Sequence, residues 1–469
     1  MSEAALNFGS RQASGDAELA GASPLAVNVL VDGKGAVRRR PGISSWSGFP
    51  SSIPDDSPVI GMYAFEDELY YVNEARRIRK VAPSTATTTA LSTTTSTTLL
   101  AGTSRPVFAE TPYRLVIAGG GAPQKIDSGE TTAERLGGSP PSGSQVAYLS
   151  SRLFTDDDTS SATIGQIRFS GVGDGTLGEE YWDALSYATA EADPDDVVAI
   201  RSNANELFAF GARSLQVFSP DPVGVIAPGR AKAIGLAAAH SVVRVDESFG
   251  ILEAQRRFVV TDGRDYEDIS GDIAATLDGI TTVSDCWGFR YNSDQFDCLV
   301  WVLPSDGRSF AWQRGASWAQ WHGWTDGIGH TLLPIRSHYF WPEENLHLVG
   351  LTSGQIAKFD TAAYTDLGST IKAEALTGFE SRGTDNFKQC NAVYLTFKCA
   401  TSGAGTALLS WRDDLGAFCN PIRISLTGKH QVVQLRGLGR YRSRQWKLEF
   451  TDAAEFVLAR ATEDYSGGN

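Results

Sequence analysis

Apolar residues recur along the chain in short alternating runs, each followed by a polar turn and a second apolar run. Val27, Val29 and Val31 alternate with Asn28, Leu30 and Asp32, which predicts an early strand. From about residue 59 the strand–turn–strand pattern repeats, in VIGMYAFEDELYYVN (59–73), PVFAETPYRLVIAG (106–119), GSQVAYLSSRLFTDDD (143–158) and DDVVAIRSNANELFAFG (195–211). It continues in SFGILEAQRRFVVTDG (248–263), WGFRYNSDQFDCLVWVL (287–303) and SHYFWPEENLHLVGL (337–351). The second runs begin near Leu69, Leu115, Leu153, Leu207, Phe258, Leu299 and Leu346, at intervals between 38 and 54 residues. Four-stranded propeller blades repeat every ~40–50 residues. The pattern therefore predicts an all-β chain built on a six- or seven-bladed β-propeller. No unit carries the GH…WD signature, and a set of stacked β-sandwiches is the competing architecture.

Two segments interrupt the repeat. Residues 84–104 are dominated by Thr and Ser; β-branched Thr fits a hairpin, and a loop is the alternative. DIAATLDGI (272–280) fits one or two helical turns. After Asp366 the runs AVYLTFKCA (392–400), ALLSWR (407–412), PIRISL (421–426), QVVQLRG (431–437), QWKLEF (445–450) and FVLARAT (456–462) predict a separate β-sandwich. The expected organisation is an N-terminal arm over 1–45, a propeller over 46–366 and a C-terminal β-sandwich domain over 367–469.

Composition sharpens this picture. The 48 Gly and 11 Trp suit short strands joined by turns, and a 42% hydrophobic share supports a large core. No apolar run approaches a membrane span, and MSEAALNFGSR has neither the basic flank nor the apolar stretch of a secretory leader. Five cysteines (286, 298, 390, 399, 419) form no CxxC, so buried free thiols in a reducing cytoplasm are expected rather than disulfides or zinc. Residues 371–469 hold 13 Lys and Arg against 10 Asp and Glu, whereas 1–370 hold 28 against 45. The first part is thus strongly acidic and repels phosphates, which argues against sequence-specific DNA binding but not against a passive conduit.

No catalytic constellation emerges, and an enzyme is not expected. His322, His330, His338 and His347 lack metal-ligand spacing. Asp156-Asp157-Asp158 and Asp193/Asp195/Asp196 lack the pattern of a calcium loop. Ser305-Asp306-Gly307 has the wrong spacing for a sialidase box, and Gly119-Gly120-Gly121 reads as a turn. No metal site or cofactor is predicted. Among Trp312, Trp318, Trp321 and Trp324, the last three are candidate aromatic contacts for a sugar, set against a role as core anchors.

The strongest positive feature is GLGRYRSRQWKLEF (437–450). In one strand Arg440, Arg442 and Arg444 would share a face with Trp446, Leu448 and Phe450. Guanidinium groups there would meet an acidic partner or a phosphate; intrachain ion pairs are the alternative. Arg38, Arg39 and Arg40 are read either as a partner contact or simply as a solvated turn.

The order of these motifs resembles the tail hub or nozzle protein of short-tailed bacteriophages, also called the packaged-DNA stabilisation protein. The resemblance rests on Pro24-Leu25-Ala26-Val27-Asn28-Val29-Leu30, on Arg40-Pro41-Gly42-Ile43, and on ELFAFGARSLQVFSPD (206–221). DIAATLDGI followed by Trp318–Trp321, and LGRYRSRQWKLEF, keep the family's order; the Thr-rich stretch does not match it. The resemblance implies a homohexameric ring in the virion tail, assembled in the host cytoplasm below a head-to-tail adaptor ring. It implies retention and ejection of packaged double-stranded DNA through the lumen, with a tail fibre, spike or plug protein attached. A carbohydrate- or receptor-binding propeller is the other reading of the chain.

Overall fold

Alternation of side chains along a strand lets one residue in two enter a core. Seven pairs of runs with that alternation yield seven antiparallel meanders in the computed structural model of the chain. The structure describes residues 2–8, 26–50, 56–91, 100–130, 132–159, 165–173, 178–190, 195–221, 226–294, 296–314, 318–325, 328–398, 405–427 and 430–467. The fold is all-β apart from short turns of helix, with a six-bladed β-propeller arrangement. Its contacts divide it into two units. One is made of Ser45–Phe289 and Pro334–Lys358; the other of Met1–Ser44, Arg290–Leu333 and Phe359–Asn469.

The propeller unit holds six blades. Five are four-stranded meanders that begin at Val59–Phe65, Val107–Glu110, Val146–Leu149, Val197–Asn203 and Val243–Val245. The sixth runs through Ile335–Trp341, Leu346–Leu351 and the start of Ile356–Asp360. Three of the first hairpins turn on two residues that both have positive φ: Glu66-Asp67, Ser150-Ser151 and Ala204-Asn205. That is the geometry whose twist matches the flanking strands. Leu69, Leu115, Leu153 and Leu207 sit at the head of second strands and are fully buried. Phe258 instead starts the third strand of its blade, after Ser248–Leu252.

Neighbouring blades share apolar layers. Phe208 and Phe210 of one blade meet Phe249 of the next edge-on at 5.0 and 5.8 Å, a geometry favoured by ring quadrupoles. The sixth blade returns to the first: Trp46 and Trp341 meet at 6.1 Å, and the Ser337 hydroxyl donates to the Val59 carbonyl at 2.7 Å. The helical turns expected at 272–280 form at Gly271–Ile273 and Ala274–Asp278. Of the Thr-rich stretch, Thr87–Ala90 forms a hairpin with the preceding Ile78–Ala82, while 92–99 lie outside the described residues.

The second unit is assembled from distant segments. One sheet orders Val29–Val31, Val37–Arg39, Val457–Gly467, Lys388–Phe397 and Gln431–Arg436, with Ser2–Ala5 paired to Val457–Gly467. The other runs from the meander Trp287–Asn292, Asp297–Leu303, Arg308–Gln313 and Trp318–Gln320 through Ala26–Val27 and Ala373–Leu376. It ends with Arg444–Phe450, Gly405–Asp413 and Ile422–Leu426. Both sheets feed one core that includes Val29, Val393, Leu395, Leu409, Trp446, Leu448 and Phe450. The described parts of the expected N-terminal arm are therefore paired strands; residues 9–25 lie outside the described residues. Among the described residues no helix is long and apolar enough to cross a membrane.

Candidate functional site

The basic turn between Val37–Arg39 and Gly42–Ser45 places its three arginines in three environments. Arg40 is fully buried and uses all five N–H groups. Nε donates to Asn28 Oδ1 (2.9 Å), Nη1 to Pro41 O (2.9 Å) and Asp366 Oδ1 (3.0 Å), Nη2 to His322 O (2.9 Å) and Asp366 Oδ2 (2.6 Å). A bidentate pair of this kind stands in for the lost hydration of a buried charge. Asn28, at φ 56°, completes the clip: its Oδ1 also accepts from His322 N (2.8 Å) and its Nδ2 donates to Lys372 O (2.9 Å).

Arg39 is also enclosed. It donates to the carbonyls of Asp452 (2.8 Å), Ala454 (2.6 Å) and Ile371 (3.3 Å), and lies over Phe450 and Tyr364. Burial, and then the charge of Arg40, push its guanidinium down to about 10. Arg38 is half-buried and paired with Asp32 (2.9 Å) and Glu455 (3.3 Å). Arg39 and Arg40 are therefore buried and bonded within the chain, and the turn at these two positions is not a solvated one.

The second arginine group divides differently. The chain leaves one sheet after Arg440–Tyr441 and enters the other at Arg444–Phe450, so the three arginines do not share one strand face. Arg444 does share the inward face of Trp446, Leu448 and Phe450. It is buried against Tyr441 (4.4 Å), Trp411 and Trp446 (both 5.2 Å) and forks onto Asp413 at 2.6 and 2.9 Å. Arg440 and Arg442 remain exposed, with their guanidinium groups 5.5 and 4.6 Å from the ring of Phe387, itself exposed. Neither meets a carboxylate among the described residues.

The tryptophans are mostly core. Trp321 is fully enclosed against Tyr291 and Phe359, and Trp318 packs on Trp301. Neither presents a ring face for a sugar. Trp324 is half-buried, with Lys372 Nζ over it at 4.9 Å and His330 edge-on at 5.1 Å.

The acidic turns are structural. Asp156 accepts from Ser144 N and Oγ and from Gln145 N, and Asp195 accepts from the backbone and hydroxyl of Ser214. Burial, then the charges of Asp156, Asp196 and Asp157, push the Asp158 carboxyl up to about 6; Asp193 lies outside the described residues. Two histidines that the spacing kept apart do meet: His338 Nε2 lies 3.0 Å from His347 Nδ1 across paired strands. Burial and then His347 hold His338 well below the usual imidazole range. Among the described residues no group of three His, Cys, Asp or Glu side chains is placed to hold a metal ion. Asn28 and Asp366 had no signal in the sequence as partners of Arg40, because 12 and 326 positions separate them from it.

Residues 142–358 match the model of a protein family described as bacteriophage P22 Gp10, beta-propeller. No curated protein matches the chain. Among solved structures, a computationally designed protein named Ika8 is 11% identical, with 65% of this chain and 96% of that chain covered at a TM-score of 0.40. YCF48 from Cyanidioschyzon merolae is 12% identical, with 67% and 99% covered at 0.39. An ancestral GH74 enzyme is 12% identical, with 77% and 54% covered at 0.42. Likenesses this loose bear on no functional argument.

Proposed function

We propose that this protein, whose residues 142–358 match the model of the bacteriophage P22 Gp10 propeller family, is a structural phage tail protein and one subunit of a tail hub or nozzle ring. Six copies surround a channel below the head-to-tail adaptor ring, help retain the packaged genome and form its path on ejection. Its role is architectural rather than catalytic, and a fibre, spike or plug protein attaches to it. The family match carries this reading, since it spans the third to the sixth blade of the propeller unit.

Charge supports the conduit. The excess of acid over base in residues 1–370 (45 against 28) lowers adhesion of DNA to the wall. Arg440 and Arg442, held over Phe387 without carboxylate partners among the described residues, supply the contact for an acidic neighbouring subunit.

The test is the native mass of the purified protein with electron images of particles, alone and mixed with the cognate adaptor ring. A six-fold ring with a central hole is expected. A strict monomer under both conditions would overturn the proposal.

A further inference from the structure

The innermost strands of four blades, Val59–Phe65, Val107–Glu110, Val146–Leu149 and Val197–Asn203, wall a cavity of about 350 Å³ in the propeller unit. Aromatic rings make up part of the wall: Tyr63 stacks on Phe108 at 5.8 Å, and Tyr148 belongs to the same lining. Arg201 and His240 complete it.

This lining sets one arginine, Arg201, beside a neutral imidazole and a single carboxylate, Glu110. Among the described residues Arg201 donates to neutral acceptors: Gln145 Oε1 (2.8 Å), Ile200 O (2.7 Å) and Ala239 O (3.3 Å). Arg105 lies over Trp287 at 4.6 Å and donates to the carbonyl of Arg336, and Arg336 Nε is buried without a hydrogen-bond partner. Trp287 in turn bridges to His240. Burial pushes Arg201 down to about 10; burial and then Arg336 push Arg105 down to about 9. Burial, then Arg105 and Arg201, hold His240 neutral. The nearby Asp156 has its oxygens engaged by Ser144 and Gln145, and Glu110, the one carboxylate of the lining, accepts from the Tyr63 hydroxyl at 2.9 Å.

Arg201 is buried with its described hydrogen bonds all to neutral acceptors and only the charge of Asp156 acting on it, so a bound anion would add a charge-assisted partner. Apart from Glu110 and the Tyr63 hydroxyl that it engages, the polar side chains of the lining can donate: the Arg201 guanidinium, one imidazole N–H, and the hydroxyls of Ser202 and Tyr148. A tetrahedral oxyanion accepts from several directions at once, and arginine favours it through paired N–H groups. We propose that this cavity is a binding site for a phosphate-class oxyanion, held by Arg201 and His240. The proposal stands apart from the tail-ring reading.

The experiment is calorimetric titration of the full chain at low ionic strength with inorganic phosphate and, separately, with phenyl phosphate. Binding of either is expected. Tighter binding of phenyl phosphate marks an organic phosphate whose body rests on the aromatic wall; equal binding marks the free anion. Arg201→Gln is expected to weaken binding about tenfold, the size of one charge-assisted hydrogen bond. His240→Phe keeps the Arg201 hydrogen bonds and the ring volume, so it tests the site even where Arg201→Gln impairs folding; a several-fold loss is expected. Arg244→Gln, an exposed change outside the cavity, should leave binding unaltered. No binding of either probe, or binding unchanged in both cavity variants, would overturn the proposal.

Discussion

Asp366→Asn removes the charge that faces Arg40 while keeping the shape of its partner. Arg40 is then a buried cation with only neutral acceptors, those of Asn28, Pro41 and His322. Breaking a buried pair from one side costs about 3–5 kcal/mol, and the three surviving hydrogen bonds put this case near 3. The unit that contains the pair has roughly 200 residues, for which each kcal/mol moves the melting temperature by about 2–4 °C. The expected shift is therefore roughly 6–12 °C in the calorimetric transition of that unit. Arg40→Met with Asp366→Leu removes both charges together and should recover most of the loss. The reasoning fails if Asp366→Asn melts with the parent protein, or if the double change is worse than the single one.

Three other outcomes follow from the same geometry. Arg440→Glu with Arg442→Glu should leave the melting temperature unchanged and abolish ring assembly in native mass measurements; normal rings would remove these residues from the interface. The raised carboxyl of Asp158 means that the folded state holds a proton which the unfolded chain releases, so this group lowers stability as pH rises from about 4 to 6. Asp158→Asn should accordingly stabilise at pH 8 and change nothing at pH 3, by about 1 kcal/mol once solvent screening of this exposed side chain is allowed for. Gly138→Ala should be strongly destabilising in a thermal melt, because φ is +74° there and the added carbon would run into the Glu180 carbonyl.

Periodicity made the propeller legible, because a buried Leu at the head of a second strand is a local consequence of alternation. Leu69, Leu115, Leu153, Leu207 and Leu299 all behave in this way. The arginines were not legible to the same degree. Parity along 440–450 placed Arg444 on the face of Trp446, but it could not reveal that the chain changes sheets between Tyr441 and Arg444. Nor does a basic triplet reveal its counter-charge: Arg40 finds Asp366 only through the tertiary fold, and the sequence shows a cluster of charge where the structure holds a sealed ion pair. The cavity around Arg201 was missed for a related reason. Its residues come one or two at a time from successive blades, and no segment of the chain carries them together.

Ala26–Val27 lies between two strands, parallel to Trp318–Gln320 on one side and antiparallel to Ala373–Leu376 on the other. During synthesis this segment leaves the ribosome long before either neighbour exists. Non-local pairings of such span form slowly because loop closure must come first. The unit that holds it therefore matures only after the blades encoded in between have been made, and a nascent chain carries an unpaired β-strand through most of its translation. A chaperone that masks this segment would be expected to matter more for yield than any stabilising change in the blades.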